Sequence, residues 1–375
     1  MKISVIRERR AHEKRVALTP DLVKKIKSLS PNICVVVEQA AGESAAYDDA
    51  IYRAAGAEVT DLNSVLADAT VVLCVNAPTP DILSLLPPSA ALIGLLSPLQ
   101  NSTQQTQNTA PIIKFSLEKL PRTTRAQAMD VLSSQANLAG YVAVLVAANH
   151  YPKLFPMLMT AAGTIKAARV LVLGAGVAGL QAIATAKRLG AVVEVFDVRA
   201  AAKEQVESLG AKFIEVPLTD AEKELAKGQG GYAKEMTSDY QQRQSELIAK
   251  HVQRADVVIT TALIPGKPAP KLISRQMVET MKAGSVIVDL AAGSSLNAAM
   301  EPVGAGNCEL SQAHQTVVHQ GVSVIGANHL PSNVAQDASQ LYARNVFEFL
   351  RLMINDQGVF NPDVDDELVR ATRWV

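Results

Sequence analysis

Residues 169–197 read RVLVLGAGVAGLQAIATAKRLGAVVEVFD, in which an apolar run, the spacing GxGxxG and a helix-forming stretch at 180–189 lead to a second apolar run. In a strand, turn and helix of this kind the three glycines have different physical tasks. Gly174 makes a tight turn, Gly176 lets the backbone approach a pyrophosphate, and Gly179 lets the helix pack closely on the sheet. The spacing in this context predicts a dinucleotide-binding βαβ unit.

Asp197 ends the second apolar run, about 20 residues after the glycines, where this pattern requires an acid. Its carboxylate would accept hydrogen bonds from ribose hydroxyls and repel a 2′-phosphate, which predicts NAD(H) as the cofactor. Arg199 leaves a second possibility open, since an arginine accommodates a 2′-phosphate. Leu263 follows the apolar run 257–260 and is expected at the same sheet edge, with core packing as the alternative. The predicted cofactor-binding residues are Gly174, Ala175, Gly176, Val177, Gly179, Asp197, Val198 and Leu263.

Composition favours a soluble, cytoplasmic α/β protein. The 36 basic and 36 acidic residues cancel, which argues against a general nucleic-acid surface. The three cysteines, Cys34, Cys74 and Cys308, form no CxxC pair, so neither a disulfide framework nor a thiolate metal site is expected. The uncharged stretch 131–152 begins with polar residues and is predicted to be a buried helix rather than a membrane span.

Apolar runs alternate with helix-forming stretches along both halves of the chain, which predicts parallel sheets covered on both faces. The predicted fold is α/β, with two doubly wound Rossmann-like domains, mainly parallel sheets and a cofactor cleft between the domains. We place one domain at residues 1–134 and 328–375, completed by the C-terminal helix, and the NAD(H)-binding domain at 135–327. Pro20 is expected in the first turn of a helix, with Thr19 as its N-cap.

Several stretches of the sequence are longer than the glycine spacing and therefore more specific to one protein family. In the second half they are LGAGVAGLQAIATAKRLG at 173–190, DVR at 197–199, KEQVESLG at 203–210, GGYAKEM at 230–236 and TTALIPGKPAP at 260–270. In the first half they are RERR at 7–10, KRVALTP at 14–20, PRTTRAQAMD at 121–130 and SSQANLAGY at 133–141. These stretches resemble the NAD(H)-binding component of the proton-translocating nicotinamide nucleotide transhydrogenases, a family related to alanine dehydrogenase.

The resemblance implies roles for two loops. One, at 121–133, would hold the nicotinamide end of NAD(H); a helix cap and turn is the alternative role for its polar residues. The other, at 230–236 within the polar stretch 219–248, would close over bound nucleotide and carries Tyr232. The residues expected to act in catalysis are Arg122, Gln127, Asp130, Ser133 and Tyr232.

The same resemblance implies partners. The chain would be a homodimer that donates hydride from NADH to NADP⁺ held by a separate NADP(H)-binding component, and a separate membrane-spanning subunit would translocate protons. The protein would then be cytoplasmic, attached to the membrane through those subunits and inactive without them. The stretch 292–304 is longer than the family pattern, and its role is left open.

Two other functions compete with this one. Alanine dehydrogenase chemistry requires a general acid/base and a cationic anchor for the substrate carboxylate, and the resemblance implies a lysine and a histidine for these roles near 71–78 and 94–99, where this sequence has neither. Arg15 remains a candidate for binding a substrate carboxylate, with a surface ion pair as its alternative. The non-enzymatic interpretation is a module that senses NAD(H) and signals to a partner.

Overall fold

A computed structural model describes residues 1–96, 112–217, 238–264, 268–293, 295–296, 302–327 and 329–374. The chain divides into a first unit, Met1–Ala136 with Pro331–Val375, and a second unit, Asn137–Leu330. The second unit is therefore an uninterrupted stretch of chain. The first unit takes its C-terminal part from beyond it.

The secondary structure alternates between strands and helices through both units. The strands are β1 (Lys2–Val5), β2 (Cys34–Glu38), β3 (Glu58–Thr60), β4 (Val71–Asn76), β5 (Ala91–Leu95), β6 (Ile113–Ser116), β7 (Leu158–Thr160), β8 (Gly163–Ile165), β9 (Arg169–Leu173), β10 (Val192–Phe196), β11 (Lys212–Ile214), β12 (Val257–Thr260), β13 (Val286–Asp289), β14 (Ser295–Leu296), β15 (Pro302–Val303), β16 (Thr316–His319), β17 (Val322–Gly326) and β18 (Arg373–Trp374). The α-helices are α1 (Pro20–Leu29), α2 (Asp49–Ala54), α3 (Leu62–Leu66), α4 (Pro80–Leu83), α5 (Val131–His150), α6 (Val177–Arg188), α7 (Ala202–Ser208), α8 (Ser238–Val252), α9 (Arg275–Glu279), α10 (Ala335–Leu350) and α11 (Glu367–Thr372).

The first unit is built on a seven-stranded sheet in the order β18-β6-β5-β4-β1-β2-β3. Its pairs are parallel except for the edge strand β18, which runs antiparallel to β6. Short apolar strands such as β4, whose residues 71–75 are all buried, are typical of a sheet covered on both faces. Helix α10 supplies Tyr342 and Phe349 to the core beside this sheet.

The second unit has a seven-stranded sheet in the order β11-β10-β9-β12-β13-β17-β16, parallel except for β16. In each sheet the strand that comes first in the chain, β1 or β9, lies in the interior of the sheet. The strands that follow are added first on one side of it and then on the other. This arrangement is doubly wound. The predicted α/β fold with two mainly parallel sheets is confirmed.

Helix starts show where local signals succeed and fail. Pro20 occupies the first position of α1, where its missing N–H costs nothing. Thr19 is the N-cap of α1, as predicted, although only its carbonyl accepts helix N–H bonds and its buried hydroxyl has no hydrogen-bond partner. Helix α6 begins at Val177 rather than at residue 180, since Gly176 is its N-cap and the third glycine lies inside the helix.

Helix α5, Val131–His150, is the apolar helix that the sequence predicts, but only part of it is buried. Among the described residues it alone has the length and apolar composition of a membrane span, a property that core helices of soluble proteins share. Gln135 and Val142 are buried in it, whereas Tyr141 is 39% exposed.

Candidate functional site

The turn between β9 and α6 contains three glycines, and at two of these positions there is no space for any larger residue. Gly174 has φ +106°, in the left-handed region, and a Cβ there would lie 2.6 Å from Thr261 Oγ1. A Cβ on Gly179 would lie 1.8 Å from the Gly174 carbonyl oxygen. The first and third glycines are therefore required by the fold of the turn itself.

Gly176 differs from the other two. A Cβ built on it would meet no atom within 4 Å, so the fold leaves this position open. Gly176 is also the N-cap of the 12-residue helix α6, whose first-turn N–H groups and dipole favour an anion. Open space at a helix N-terminus is the arrangement that accepts a pyrophosphate.

Asp197 lies at the end of β10, beside this turn. Its Oδ2 accepts the Ala175 N–H at 2.7 Å, and its Oδ1 accepts the Arg199 N–H at 2.8 Å. The Arg199 guanidinium adds two bonds of 2.9 Å, one to each oxygen. Burial alone would raise the pKa of Asp197, but these hydrogen bonds outweigh it and the pKa lies below its usual value.

The Arg199–Asp197 pair bears on the choice of nucleotide. Arg199 grips the carboxylate in a bidentate geometry, so the same guanidinium must leave Asp197 before it can face a 2′-phosphate. A ribose hydroxyl, by contrast, needs only to share an oxygen of the carboxylate. The ion pair therefore favours a nucleotide without the 2′-phosphate.

Three of the apolar residues that are predicted to bind the cofactor are exposed in the second unit. Val177, Val198 and Leu263 are 41%, 45% and 54% exposed. For Leu263 this exposure excludes the alternative role in core packing. Apolar side chains at the carboxyl edge of such a sheet are available to a bound nucleotide.

Three polar residues that the sequence did not single out hold this edge together. Thr261 donates to the Gly174 carbonyl at 3.1 Å, and Asn307 makes three bonds of 2.8–3.0 Å to the backbone at Ala262 and Pro270. Fully buried Asp289 accepts from Thr260, Ser311 and two backbone N–H groups. Of these, Asp289 alone had a sequence signal, an acid that ends a buried apolar strand.

The predicted nicotinamide loop lies in the first unit. It contains a short 3₁₀ helix, Thr124–Met129, in which Gln127 is exposed, as is Arg122 just before it. The two remaining residues bond to each other, because the Asp130 carboxylate accepts the Ser133 N–H at 2.9 Å and the Ser133 hydroxyl at 2.6 Å. This is the helix cap that the sequence offered as the alternative for these two residues. Tyr232 and the loop 230–236 lie outside the described residues.

Arg15 lies in a buried polar cluster rather than on the surface. Its guanidinium donates to Glu13 Oε1 at 2.8 Å, to Glu13 Oε2 at 2.6 Å and to Gln135 Oε1 at 2.9 Å. Burial alone would raise the pKa of Glu13, but Arg15 overrides it and lowers this pKa to about 2. The surface ion pair expected for Arg15 is therefore wrong in its location, because both side chains are more than nine-tenths buried.

A polar cavity of 350 Å³ opens beside this cluster, lined in part by Glu8, Glu13 and Arg15. The one deeply buried arginine in this set is already neutralised by Glu13. Burial and the negative charge of Glu13 raise the pKa of Glu8 to about 7. The rest of the lining includes Arg7, Arg9, Lys14 and Glu43, so the cavity wall carries both signs of charge, and the Arg15 guanidinium is already bound to Glu13.

Comparison with known proteins agrees with the geometry of both units. Residues 4–139 match the N-terminal domain and residues 143–375 the C-terminal domain of the alanine dehydrogenase/PNT family. An NAD(P) transhydrogenase subunit alpha protein of Rhodospirillum rubrum is 46% identical over 380 residues, covering 99% of this chain and 95% of the relative.

A solved structure and a more distant relative complete the comparison. The crystal structure of a transhydrogenase from Sinorhizobium meliloti matches with TM-score 0.85 and 43% identity, covering 100% of this chain and 98% of that one. An alanine dehydrogenase of Halomonas elongata is 28% identical over 376 residues, covering 98% of this chain and 91% of the relative.

Proposed function

The chain belongs to the alanine dehydrogenase/PNT family, whose oxidoreductases include transhydrogenases, and on that premise we propose that it is the NAD(H)-binding subunit of a proton-translocating transhydrogenase. The observation that carries the proposal is 46% identity to a transhydrogenase alpha subunit over 99% of the chain. The glycine turn with its acid supports NAD(H) as the nucleotide.

In this proposal both units contribute residues that bind the nucleotide. The turn at Gly174, Gly176 and Gly179 would hold the diphosphate at the N-terminus of α6, and Asp197 would accept from the ribose hydroxyls. When bound, NADH supplies a hydride to NADP⁺ on a partner component. In the loop of the first unit, Arg122, Gln127, Asp130 and Ser133 would orient the nicotinamide through its carboxamide. Tyr232 would lie in a lid that excludes water.

Hydride exchange between two nicotinamides requires positioning but no general base. This requirement fits a chain that lacks lysine and histidine at 71–78 and 94–99 and has Arg15 bound to Glu13. We therefore expect no reductive amination of pyruvate with NADH and ammonia. Turnover at a rate typical of enzymes, about 1–1000 per second, would contradict the proposal and restore the dehydrogenase function.

The proposed assembly is a homodimer joined to two kinds of partner. A separate component would bind NADP(H), and a membrane-spanning subunit would move protons and attach this cytoplasmic chain to the membrane. The hairpin β7–β8 supports self-association, because an isolated two-stranded hairpin is marginal in water and Met159 on it and Met157 just before it are 72% and 61% exposed. A second copy of the chain would bury these side chains.

Stopped-flow mixing tests the function directly. The NADH-loaded protein is mixed with the NADP(H)-binding component of a transhydrogenase carrying an NADP⁺ analogue whose reduced form absorbs differently from NADH. We expect rapid reduction of the analogue with the partner and none with this chain alone. If both proteins bind their nucleotides and dock but no hydride passes, the NAD(H)-sensing module becomes the better explanation.

A further inference from the structure

The loop that carries Gln127 is seated on the first unit by its backbone and its apolar residues. Ala126 and Met129 are 2% and 6% exposed and belong to the core of the unit, whereas Gln127 between them is exposed. In the same short helix the carbonyl of Ala128 accepts a hydrogen bond from a side chain. That partner comes from the far end of the chain.

The partner is Asn345, on the buried face of α10 and 9% exposed. Its Nδ2 donates to the Ala128 carbonyl at 2.7 Å, and its Oδ1 accepts from the Ser134 hydroxyl at 2.7 Å. One amide thus joins the 3₁₀ helix of the loop to the first turn of α5, on either side of Asp130. Both bonds are short and partly buried, and a hydrogen bond that is shielded from water is stronger than one on the surface.

The amide of Asn345 is held in one orientation by a longer chain of bonds. Ser134 Oγ accepts from Gln135 Nε2 at 3.3 Å, and Gln135 in turn donates to the Ala338 carbonyl at 3.1 Å. Gln135 Oε1 accepts from Arg15 at 2.9 Å. The network therefore fixes which end of the Asn345 amide faces the loop.

We infer that Asn345 is a positioning residue for hydride transfer: by holding the Ala128 carbonyl it sets the place of Gln127 at the nicotinamide. This inference rests on the proposed function of the loop. Asn345 contacts the loop backbone, so its effect passes through Gln127. A small displacement of the loop would leave the diphosphate and ribose contacts of NADH unchanged and misplace its nicotinamide.

A second anchor of the loop is weaker. Arg125 forms an ion pair with Asp366, the N-cap of α11, but the Arg125 side chain is 53% exposed. Exposed pairs of this kind contribute little and are screened by salt. The buried amide is therefore the anchor whose loss should matter for the loop.

The variant Asn345→Asp tests the inference with almost no change of shape. A carboxylate still accepts from Ser134 but cannot donate to the Ala128 carbonyl, so one bond is lost selectively. Gln336→Glu, an exposed position on the same helix, makes the same amide-to-acid change and serves as the matched control. Ser134→Ala is a second variant, which removes the other bond of the Asn345 amide without introducing a charge.

We expect Asn345→Asp to slow single-turnover hydride transfer about tenfold or more, with NADH affinity within about threefold of the wild type. Backbone hydrogen exchange over residues 124–130 should become faster in Asn345→Asp and, to a smaller extent, in Ser134→Ala, but not in Gln336→Glu. Unchanged transfer, or loss of NADH affinity equal to the loss of rate, would overturn the inference.

The two hypotheses fail in different ways. If wild-type protein passes no hydride to the partner, the proposed function fails, and hydrogen exchange still decides whether Asn345 holds the loop. If wild-type protein is active but Asn345→Asp does not fold, Ser134→Ala decides: a slower transfer with NADH affinity kept supports the positioning role, and an unchanged rate contradicts it.

Discussion

The first strand-to-helix connection differs between the two units although their sheets share one plan. In the second unit, β9 leads through a short glycine turn into α6 and leaves open space at Gly176. In the first unit, β1 and α1 are separated by residues 6–19, which carry a dense run of charged side chains. The connection in the second unit leaves open space at a helix N-terminus (the open edge), whereas the connection in the first unit brings the protein's own charged side chains to the corresponding edge of its sheet, around a polar cavity (the filled edge).

Glu8 shows how the first unit fills this edge. In a doubly wound sheet, ligands bind where the strand order reverses, which in the first unit lies between β1 and β4. There the Glu8 carboxyl accepts the N–H of Val75 at 2.6 Å and the N–H of Asn76 at 3.2 Å. The protein thus places its own acid group where the equivalent edge of the second unit can accept a phosphate. The fold alone does not determine which sheet binds a nucleotide.

The largest effect expected from this comparison is on the stability of the filled edge. Glu13→Gln would leave the buried Arg15 charge without its partner and lower the free energy of unfolding by about 3–5 kcal/mol. The single tryptophan, Trp374, lies in β18, so its fluorescence in a urea titration reports on the first unit. Glu348→Gln, which breaks the exposed pair with Arg351, should cost at most about 1 kcal/mol. Equal effects of the two variants would contradict the comparison.

The next effect concerns the open edge. Gly176→Ala places a methyl group where the fold has no neighbour, so unfolding should be unchanged while NADH affinity falls about 100-fold, or about 2.7 kcal/mol. Gly179→Ala should instead destabilise the second unit, because its Cβ would overlap the Gly174 carbonyl. Calorimetric titration with NADH and thermal unfolding separate the two. NADH binding unaffected by Gly176→Ala would show that this space is not the diphosphate site.

A smaller effect is expected at the acid of the open edge. Asp197→Asn should weaken NADH about tenfold, or about 1.4 kcal/mol, and bring NADPH closer to NADH, because Arg199 is released from its ion pair. Asp256→Asn is the control. The Asp256 carboxylate accepts the Arg169 N–H at the opposite edge of the sheet, so this variant should leave both affinities unchanged. Wild-type protein that binds the two nucleotides equally would mean that Arg199 governs the pocket.

The last effect, at most about 1.4 kcal/mol for each pH unit, is a pH dependence that Glu8 gives to the filled edge. Burial and Glu13 raise the pKa of Glu8 from 4.5 to about 7, so the folded state favours the protonated acid. The stability from this group is present below pH 4.5 and is lost as the pH rises to about 7, by at most about 1.4 kcal/mol per pH unit. Urea titrations across this range should show the slope in wild type and not in Glu8→Gln. An equal slope in both proteins would assign it to another group.

Local signals in the sequence predicted the glycine turn of the second unit far better than they predicted the long-range contacts of either unit. The glycine turn and Asp197 lie within 24 residues, and their tasks follow from backbone geometry that a sequence displays directly. The Asn345–Ala128 bond spans 217 residues, and Asn345 in an amphipathic helix looks like many other polar residues. Asn307 lies in an irregular segment without periodicity. Thr19 shows the converse limit, since it occupies the N-cap position but its hydroxyl makes no capping hydrogen bond.

Because the chain returns to the first unit after the second, the second unit is the first to be completed during synthesis. The sheet of the first unit lacks β18 and its core lacks α10 until residues 335–374 leave the ribosome; Tyr342 of α10, for example, donates to the Cys74 carbonyl at 2.8 Å. The second unit is complete once residue 330 has emerged. Although units usually fold in the order in which they are made, here the second unit is finished first, and the apolar strands at 2–116 wait for residues 335–374 before the first unit can fold.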